Sequence, residues 1–460
     1  MSSPKKIFGT DGVRGTANIE PVTAETALKL GRAAGHVFKN LESQPRGRGR
    51  HKIVLGKDTR LSGYMLENAL SSGILSMGVD VLFIGPLPTP GVAYVTRSLR
   101  ADAGIVITAS HNPYDDNGIK FFRADGYKLD DKIEYQIESL VFSGEIETIR
   151  PTADAIGKAV RIDDALGRYI EYAKASFPRG MTLEGLRIVV DCAHGAAYKS
   201  TPCVLRELGA EVIVHGNQPD GTNINKDCGS MNPTLMCQKI WEHRADLGIA
   251  HDGDADRVLL CDEQGALIDG DDIMAIAGLD LLAQGKLAKR TLVTTVMSNV
   301  GLEASITAAG GHVVRTDVGD RKVIDEMLRH GFNLGGEQSG HLIFRDYSTT
   351  GDGLVAALQI LRIMRARELP LSKLAQCWTR FPQMVTNIVV REKRPFEELA
   401  EVGQLTADAE AELKAQGGRV FLRYSGTEPK ARLLIEGRDR ATLEKWTHKI
   451  SEAIRKQVGA

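Results

Sequence analysis

The sequence predicts an α/β fold with three similar mixed α/β domains and a smaller C-terminal α+β domain. The main observation is a pattern that occurs three times: a short β-branched run, a helix-like stretch, a glycine and a second apolar run. Continuous apolar runs are typical of strands buried on both faces, and a helix between two of them is typical of a parallel β-α-β crossover. The second observation is that the end of the chain follows a different pattern, with two strand-like runs and one helix.

The glycine that follows each predicted helix is suited to a left-handed C-cap, which supports the three repeats. Similar units in series favour three similar domains. The first apolar run of each unit and the glycine before its second run are Ile53–Leu55 with Gly78, Ile188–Val190 with Gly209, and Leu292–Thr294 with Gly310.

Softer signals place the domain boundaries. A polar stretch with a proline, a turn-like acidic segment and a Leu-Pro pair separate four segments, which we predict at residues 1–157, 158–263, 264–371 and 372–460. The last segment contains the two strand-like runs and the helix, at Arg419–Tyr424, Ala431–Glu436 and about Thr442 to Lys456.

The composition is that of a globular protein without a nucleic-acid or membrane partner. Of its 460 residues, 42% are hydrophobic and 25% charged, and the net charge of −1 provides no global field for anions. A basic stretch at residues 45–52 lacks the aromatic residues on which bases stack, so we interpret it as a solvated loop.

Cysteine usage and hydropathy predict a cytoplasmic location. The start of the sequence lacks the apolar segment of a signal peptide, and no apolar stretch reaches the ~18–20 residues of a membrane span. Reduced thiols are expected in a chain of this length with a large core. The six cysteines are Cys192, Cys203, Cys228, Cys237, Cys261 and Cys377.

The segment Thr108–Pro113 contains the first candidate chemical group. It follows the apolar run Gly104–Ile107, so we expect its side chains on an exposed loop after a strand. Ser110 is then a candidate nucleophile or phosphate carrier, with a turn-capping serine as the alternative. His111 is a candidate for activating it, and Lys120 is a second candidate acid or base.

Three carboxylates alternate with small residues at Asp252, Asp254 and Asp256, between two strand-like runs. An extended loop can direct them at one point, where each pair costs about 3 kcal/mol at ~5 Å and an effective dielectric of ~20. A divalent cation removes that cost, and all-oxygen ligands favour Mg²⁺ or Mn²⁺. The alternatives are a solvated acidic turn and an EF-hand. Arg257 stands where the EF-hand requires glycine, although Glu263 falls at its twelfth position.

Glycines bracket polar residues in the segment Gly335–His341. Glu337 and Ser339, two positions apart, lie on the same side of an extended loop and suit the recognition of sugar hydroxyls. A polar hairpin turn is the alternative, and it is the one that this segment alone favours.

The segment Arg423–Pro429 and nearby Arg432 provide two guanidinium groups, two hydroxyls and a glycine that frees backbone N–H groups. Such a set suits a phosphate. A hairpin turn with exposed arginines is the alternative.

Together the four segments provide a phosphate carrier, a metal site, groups for a polyol and a phosphate cradle. Phosphoryl transfer depends mostly on positioning and electrostatics, so this set is sufficient in kind. The absence of a Walker Gly-x-x-x-x-Gly-Lys-Ser/Thr motif argues against a nucleotide kinase.

With these four loops in order, the chain resembles the α-D-phosphohexomutase superfamily over nearly its whole length. Thr108–Pro113 is similar to its serine loop, Asp252–Arg257 to its metal loop, Gly336–His341 to its sugar loop and Arg423–Pro429 to its phosphate loop. The resemblance implies three α/β domains and a smaller C-terminal domain around a central cleft.

Within the superfamily the chain looks like the bacterial phosphoglucosamine mutase branch. The supporting stretches are Phe8–Gly15, the sugar-loop residues Glu337–Ser339 and the loop Val318–Arg321. Lys430 with Ala431, and Tyr424, depart from the family pattern of the phosphate loop, while its Arg, Ser and Thr are retained.

The resemblance implies that glucosamine 6-phosphate is converted reversibly to glucosamine 1-phosphate through phosphoserine at Ser110 and a 1,6-bisphosphate, on the route to UDP-N-acetylglucosamine and the cell wall. One Mg²⁺ is expected, with glucosamine or glucose 1,6-bisphosphate as activator and a homodimer as an assembly. The alternatives are a phosphomannomutase or phosphoglucomutase, and a non-catalytic phosphosugar-binding protein.

To shuttle protons in this reaction, Lys120 needs a pKa well below the free value of about 10.4. The site that the resemblance implies has three groups of residues. The catalytic residues are Ser110, Lys120, Arg257 and His111, and the metal ligands are Ser110, Asp252, Asp254 and Asp256. The substrate-binding residues are Arg14, Glu337, Ser339, His341, Arg423, Ser425, Gly426, Thr427 and Arg432.

Overall fold

The computed structural model describes residues 7–9, 11–41, 50–425 and 429–460. These residues form four β-sheets with helices packed around them, and the chain divides into two compact units. The first unit comprises residues 1–296 with 314–375, and the second comprises residues 297–313 with 376–460. Arg46 and Arg48 of the basic stretch lie outside the described residues.

The first sheet has seven strands in the order β1-β2-β6-β5-β3-β4-β7. The pairs β3–β4, β3–β5 and β4–β7 are parallel, whereas β6 runs antiparallel to β5 and β2. The strands are β1 (Phe8–Gly9), β2 (Gly12–Thr16), β3 (Lys52–Lys57), β4 (Asp80–Pro86), β5 (Ala103–Ile107), β6 (Asp116–Arg123) and β7 (Ala159–Arg161).

Helices cover this sheet and bury its apolar core. The first two pack so closely that a Cβ on Gly31 would lie 2.3 Å from the Leu70 carbonyl oxygen, and one on Gly73 would lie 2.3 Å from that of Leu28. Only glycine allows this approach between two helix backbones. The helices in this part of the chain are α1 (Ala24–Asn40), α2 (Ser62–Ser76), α3 (Thr89–Ser98), α4 (Asp131–Ser143) and α5 (Ala165–Ala175), of which α5 packs against α3.

The second sheet has the order β12-β11-β10-β8-β9, with β8 parallel to both β9 and β10 and with β11 antiparallel to β10. Its strands are β8 (Arg187–Asp191), β9 (Glu211–His215), β10 (Leu247–His251), β11 (Val258–Asp262) and β12 (Leu267–Ile268). The helices in this part of the chain are α6 (Ser200–Glu207), α7 (Thr234–His243) and α8 (Gly270–Ala283).

The third sheet has the order β14-β13-β15-β16, with β13 and β15 parallel and β15 and β16 joined as an antiparallel hairpin. Its strands are β13 (Thr291–Thr295), β14 (His312–Thr316), β15 (Leu334–Gly336) and β16 (Leu342–Phe344). The helices in this part of the chain are α9 (Val300–Ala308), α10 (Asp320–His330), α11 (Gly353–Arg367) and α12 (Leu371–Leu374).

The C-terminal sheet is antiparallel, with the order β17-β19-β18. Two helices pack on it around a core that includes Leu433, Trp446 and Ile450. Its elements are β17 (Gln383–Val389), α13 (Ala400–Lys414), β18 (Arg419–Tyr424), β19 (Lys430–Glu436) and α14 (Arg440–Val458).

The predicted fold class is confirmed, and so are the three repeats. Each predicted pair of apolar runs is a pair of strands, and Gly78, Gly209 and Gly310 all adopt positive φ angles. Strand β17 and helix α13 are additional elements of the C-terminal segment that were not predicted. Two sheets extend beyond predicted boundaries: β7 belongs to the first sheet although it follows residue 157, and β12 belongs to the second although it follows residue 263. The exact domain limits remain predictions.

In the described part of the chain, no helix combines the length and apolar character that a membrane crossing requires.

A buried carboxylate caps the N-terminus of α11. Asp352 accepts hydrogen bonds from the backbone N–H groups of Leu354 (3.1 Å) and Val355 (3.0 Å) and from the hydroxyl of Tyr169 (3.0 Å). Burial raises the pKa of this carboxyl to about 6, and the hydrogen bonds only partly offset the effect. The charged form is therefore disfavoured in the folded protein.

This environment predicts a pH-dependent stability difference between the wild type and Asp352→Asn, which retains a capping oxygen. The folded-state pKa of about 6 exceeds the ordinary value of 3.8, so the folded state binds more protons between these values and wild-type stability falls as pH rises through them. Relative to the variant, we expect the wild type to lose on the order of 3 kcal/mol from about pH 4 to about pH 7. Thermal unfolding of both proteins across this range measures the difference.

Asp163→Asn is the matched control, since that side chain is 89% exposed. A difference between Asp352→Asn and wild type that stays constant with pH would contradict the expectation.

Candidate active site

The serine loop begins where β5 ends, and Ser110 occupies an unusual backbone conformation. Its φ angle is 52°, in the left-handed region that non-glycine residues rarely adopt. The side chain is 2% exposed, so the expectation of an exposed loop residue is wrong. Ser110 is buried because Arg60 and the metal loop pack against it, whereas Pro113 at the end of the loop is exposed.

The Ser110 hydroxyl lies against the aspartate trio. Its Oγ donates a hydrogen bond to Asp252 Oδ2 at 2.6 Å. His111 Nδ1 lies 3.3 Å from Ser110 Oγ. A turn-capping serine would bond to its own loop instead. The structure therefore joins two segments that are 142 positions apart in the sequence.

The metal loop connects the antiparallel strands β10 and β11. Oxygens from Asp252, Asp254 and Asp256 lie within 4.8 Å of one another, and all three residues are buried. Their burial excludes the solvated acidic turn. The loop is a turn rather than an extended segment, since Ala255 has a φ of 56°.

This set of donors fits a divalent cation. Asp254 Oδ1 is buried and has no hydrogen-bond partner among the described residues, while its Oδ2 accepts a hydrogen bond from Thr89 Oγ1 at 2.7 Å. Burial, together with the charges of Asp256 and Asp254, holds the pKa of Asp252 well above its usual value. A cation bound among these oxygens would relieve that repulsion.

Lys120 provides positive charge beside the trio. It lies on β6 opposite Val106 of β5, and its Nζ is 3.1 Å from Asp254 Oδ2, 3.5 Å from Asp256 Oδ2 and 3.0 Å from Asp11 Oδ2. Burial lowers its pKa, but the three carboxylates outweigh burial and raise the pKa well above the usual value. The expectation of a depressed pKa is wrong for this arrangement.

His111 lies near Ser110 and Arg257 near Asp256, and the two side chains differ in charge. Burial, followed by repulsion from Arg257 and Arg14, lowers the pKa of His111 to about 4, so its imidazole is neutral near pH 7. Arg257 Nε lies 4.0 Å from Asp256 Oδ1 and has no hydrogen-bond partner within the described chain. This guanidinium is therefore available to an anion.

The sugar loop joins β15 to β16 and lies directly beside the metal loop. Val258 N donates to the Gly340 carbonyl at 3.0 Å. Within the loop, Ser339 Oγ lies 3.5 Å from Glu337 Oε2, and Gly319 N donates to Glu337 Oε1 at 3.0 Å. Glu337 and Ser339 thus share one side, and the segment is also a hairpin turn.

His341 is buried between two carboxylates, and its role in substrate binding stays a prediction. Its Nδ1 lies 3.6 Å from Asp256 Oδ1 and its Nε2 lies 3.5 Å from Asp320 Oδ2. Burial lowers its pKa, but these carboxylates raise it above the usual value.

Three charged residues that no sequence motif predicted as site residues are Asp11, Lys128 and Asp320. The Lys128 ammonium contacts both carboxylates, and Asp11 also contacts Lys120 and lies 3.3 Å from Arg14. Asp11 and Asp320 belong to stretches that carried the family resemblance, which was the only signal for them. Lys128 links these two carboxylates, which are far apart in the sequence, so no local pattern could reveal the contact.

The phosphate loop belongs to the second compact unit. Arg423 on β18 pairs directly with Arg432 on β19, so two guanidinium-bearing residues stand side by side. Ser425 is buried, donates its N–H to the Lys430 carbonyl at 2.8 Å and accepts from Lys393 Nζ through its carbonyl at 2.6 Å. Gly426 and Thr427 lie outside the described residues.

Comparison with known families agrees with this arrangement of loops. Four models of phosphoglucomutase/phosphomannomutase match the chain in order: alpha/beta/alpha domain I at residues 5–147, domain II at 167–265, domain III at 269–381 and the C-terminal domain at 385–453.

Two curated relatives are phosphoglucosamine mutases. The protein of Geotalea uraniireducens (strain Rf4) is 56% identical over 455 residues, which is 99% of each chain. The protein of Syntrophotalea carbinolica is 57% identical over 455 residues, with 99% of this chain and 98% of the relative covered.

A solved structure has the same fold. The phosphoglucomutase/phosphomannomutase family protein of Burkholderia thailandensis superimposes with a TM-score of 0.80 at 25% identity, and the match covers 99% of both chains. Since the family models and the full-length relatives agree, the chain belongs to the phosphoglucomutase/phosphomannomutase family of the α-D-phosphohexomutase superfamily, which are isomerases, and within it to the bacterial phosphoglucosamine mutase branch.

Proposed function

We propose that this protein converts glucosamine 6-phosphate reversibly to glucosamine 1-phosphate. The observation that carries the proposal is the 2.6 Å hydrogen bond from Ser110 Oγ to Asp252, one of the three buried aspartates that could hold a cation. The choice of sugar is supported by full-length relatives with 55–57% identity that are named phosphoglucosamine mutase.

Ser110 carries the phosphoryl group in this proposal. Its phosphorus–Oγ bond breaks as the sugar O1 attacks, so that the sugar becomes a 1,6-bisphosphate and the hydroxyl of Ser110 regains a proton. After the bisphosphate reorients, Ser110 Oγ attacks the 6-phosphoryl group, the phosphorus–O6 bond breaks and O6 takes a proton. Phosphoserine is restored and glucosamine 1-phosphate leaves.

Asp252, Asp254, Asp256 and Ser110 are the residues that we propose to hold one Mg²⁺. The all-oxygen donor set and the unpartnered buried Oδ1 of Asp254 support this assignment. When bound, the cation supplies positive charge that offsets the charge of the transferring phosphoryl group.

The neighbouring side chains are suited to charge and proton control. Arg257, with its available guanidinium, offsets negative charge on the phosphoryl group during transfer. Lys120 is held protonated by its carboxylates, so we assign it the role of proton donor to the departing sugar oxygen. His111 is neutral and its Nδ1 lies 3.3 Å from Ser110 Oγ, so we assign it as a group that can accept the serine proton when Oγ attacks a phosphoryl group.

We assign substrate contacts to groups on three loops and on β2. Glu337 and Ser339 bind sugar hydroxyls, and Arg14 on β2, beside Asp11, binds the phosphosugar. In the second unit the phosphate that is not reacting is bound by Arg423, Ser425, Gly426, Thr427 and Arg432. A homodimer, a cytoplasmic location and glucosamine or glucose 1,6-bisphosphate as activator are predictions that rest on the family resemblance.

The metal site predicts a binding stoichiometry that is independent of turnover. We expect the wild type to bind one Mn²⁺ or Mg²⁺ and Asp254→Asn to lose at least tenfold in affinity, since it removes one charged ligand. Isothermal titration calorimetry measures this, with exposed Asp163→Asn as the control. Equal affinity in all three proteins would remove the metal assignment, and so would full activity after dialysis against EDTA.

The carrier role predicts a covalent mass change. Incubation with glucose 1,6-bisphosphate is expected to add one phosphoryl group to the wild type and none to Ser110→Ala, which loses turnover because no other oxygen takes its place. Intact-mass spectrometry measures the addition. Ser143→Ala, a change at an exposed serine, should behave as wild type. A phosphorylated or active Ser110→Ala would contradict the role.

The choice of sugar predicts a ranking of kcat/KM. We expect glucosamine 6-phosphate to exceed glucose 6-phosphate and mannose 6-phosphate by at least tenfold. A coupled assay of each 1-phosphate product measures the values. A higher value for mannose or glucose would favour a phosphomannomutase or phosphoglucomutase, and no turnover of any of them would favour a binding protein.

A further inference from the structure

Arg60 is fully buried, and each N–H of its guanidinium donates a hydrogen bond to the serine loop or to a residue that contacts this loop. Its Nε donates to Asp58 Oδ2 at 2.9 Å, and Asp58 also accepts from Thr108 Oγ1 at 2.7 Å. The four remaining N–H groups point at four backbone carbonyls. These carbonyls belong to Ser110 (3.0 Å), Asn112 (2.8 Å), Pro113 and Asp116 (3.0 Å).

Asn225, from the chain segment between β9 and α7, contacts two of the same carbonyls. Its Nδ2 donates to the Ser110 carbonyl at 2.9 Å and to the Asn112 carbonyl at 3.0 Å. Both partners are acceptors, which determines the orientation of the amide, because the reverse would oppose oxygen to oxygen. The backbone N–H of Asn225 is itself anchored to the Ala193 carbonyl at 2.9 Å.

The metal loop also packs against the Ser110 carbonyl. A Cβ on Gly253 would lie 2.6 Å from the Ser110 carbonyl oxygen, so only glycine allows the metal loop to approach. The left-handed φ of Ser110 is a conformation that surrounding contacts must maintain. Rotation of this peptide would swing Oγ away from Asp252.

We propose that Arg60 and Asn225 are positioning residues for phosphoryl transfer, which clamp the carbonyls of Ser110 and Asn112 from two segments of the chain. The clamp holds the strained backbone through both states of the serine, so that Oγ keeps its direction toward Asp252 while it gains and loses a phosphoryl group. This role presupposes the proposed function, in which Ser110 is the carrier.

A positioning role and a general structural role predict different effects of substitution on stability and on rate. Loss of general support lowers stability and activity together. Loss of the clamp misdirects one oxygen, and a misplacement of about 1 Å costs on the order of 100-fold in rate. The substrate contacts that we propose do not include these carbonyls, so we expect KM to change little.

The test compares Asn225→Ala with Asn223→Ala, which removes the same side chain two positions earlier. Asn223 bonds only within its own loop, to Asp220 N at 3.0 Å and the Gln218 carbonyl at 2.9 Å. We expect Asn225→Ala to lower kcat by about 10- to 100-fold with KM within about twofold of wild type. Asn223→Ala should retain the wild-type kcat. Because Asn225 has a left-handed φ of 58°, alanine there adds backbone strain and a lower unfolding temperature is expected, so kcat is measured at a temperature where both variants are fully folded.

Arg60→Lys provides a second measurement, because a lysine cannot donate to four carbonyls and the carboxylate at once. If it folds, we expect slower single-turnover transfer of the phosphoryl group from Ser110 to the sugar than in Asn225→Ala. Wild-type kcat in Asn225→Ala overturns the clamp, and so does an equal loss of kcat and thermal stability in Asn223→Ala. An inactive wild type would instead overturn the proposed function.

Discussion

Three buried carboxylates within 4.8 Å of one another are the constraint to which the rest of the site responds. Their mutual repulsion and loss of hydration would unfold the loop unless positive charge lay nearby. Lys120 and Arg257 supply part of that charge, and the Ser110 hydroxyl donates to one of the oxygens. The same positive charge that balances the trio is the charge that the proposed function assigns to stabilising a transferring phosphoryl group.

The compensation extends outward as alternating charges. From Asp256 the contacts pass through His341 to Asp320, then through Lys128 to Asp11, which returns to Lys120 beside the trio. Each carboxylate has at least one basic partner, which is what buried charges require. These residues come from three sheets or their connecting loops, so the charge balance also sets how the loops of the first unit meet. Substitution of one member would leave its neighbours with one charged partner fewer.

Much of the fold and part of the site could be predicted from the sequence because they depend on local residue patterns. The repeats, the left-handed glycines and the aspartate loop between two strands follow from patterns a few residues long. The burial of Ser110 and the high pKa of Lys120 were predicted wrongly, since both depend on carboxylates more than a hundred positions away. The roles of Arg60 and Asn225 had no sequence signal at all, because their partners are backbone carbonyls, which every residue carries.

The sequence by itself determined the α/β class, the four loops and the kinds of atoms that each loop offers, because strand periodicity, turn residues and side-chain chemistry are local properties. Only the tertiary structure decided which oxygen of Ser110 faces Asp252, which cations lie beside the trio and how far burial shifts each pKa. Those quantities depend on distances of a few ångströms between segments far apart in the chain. Electrostatic energy varies steeply at such distances, and the order of residues does not contain them.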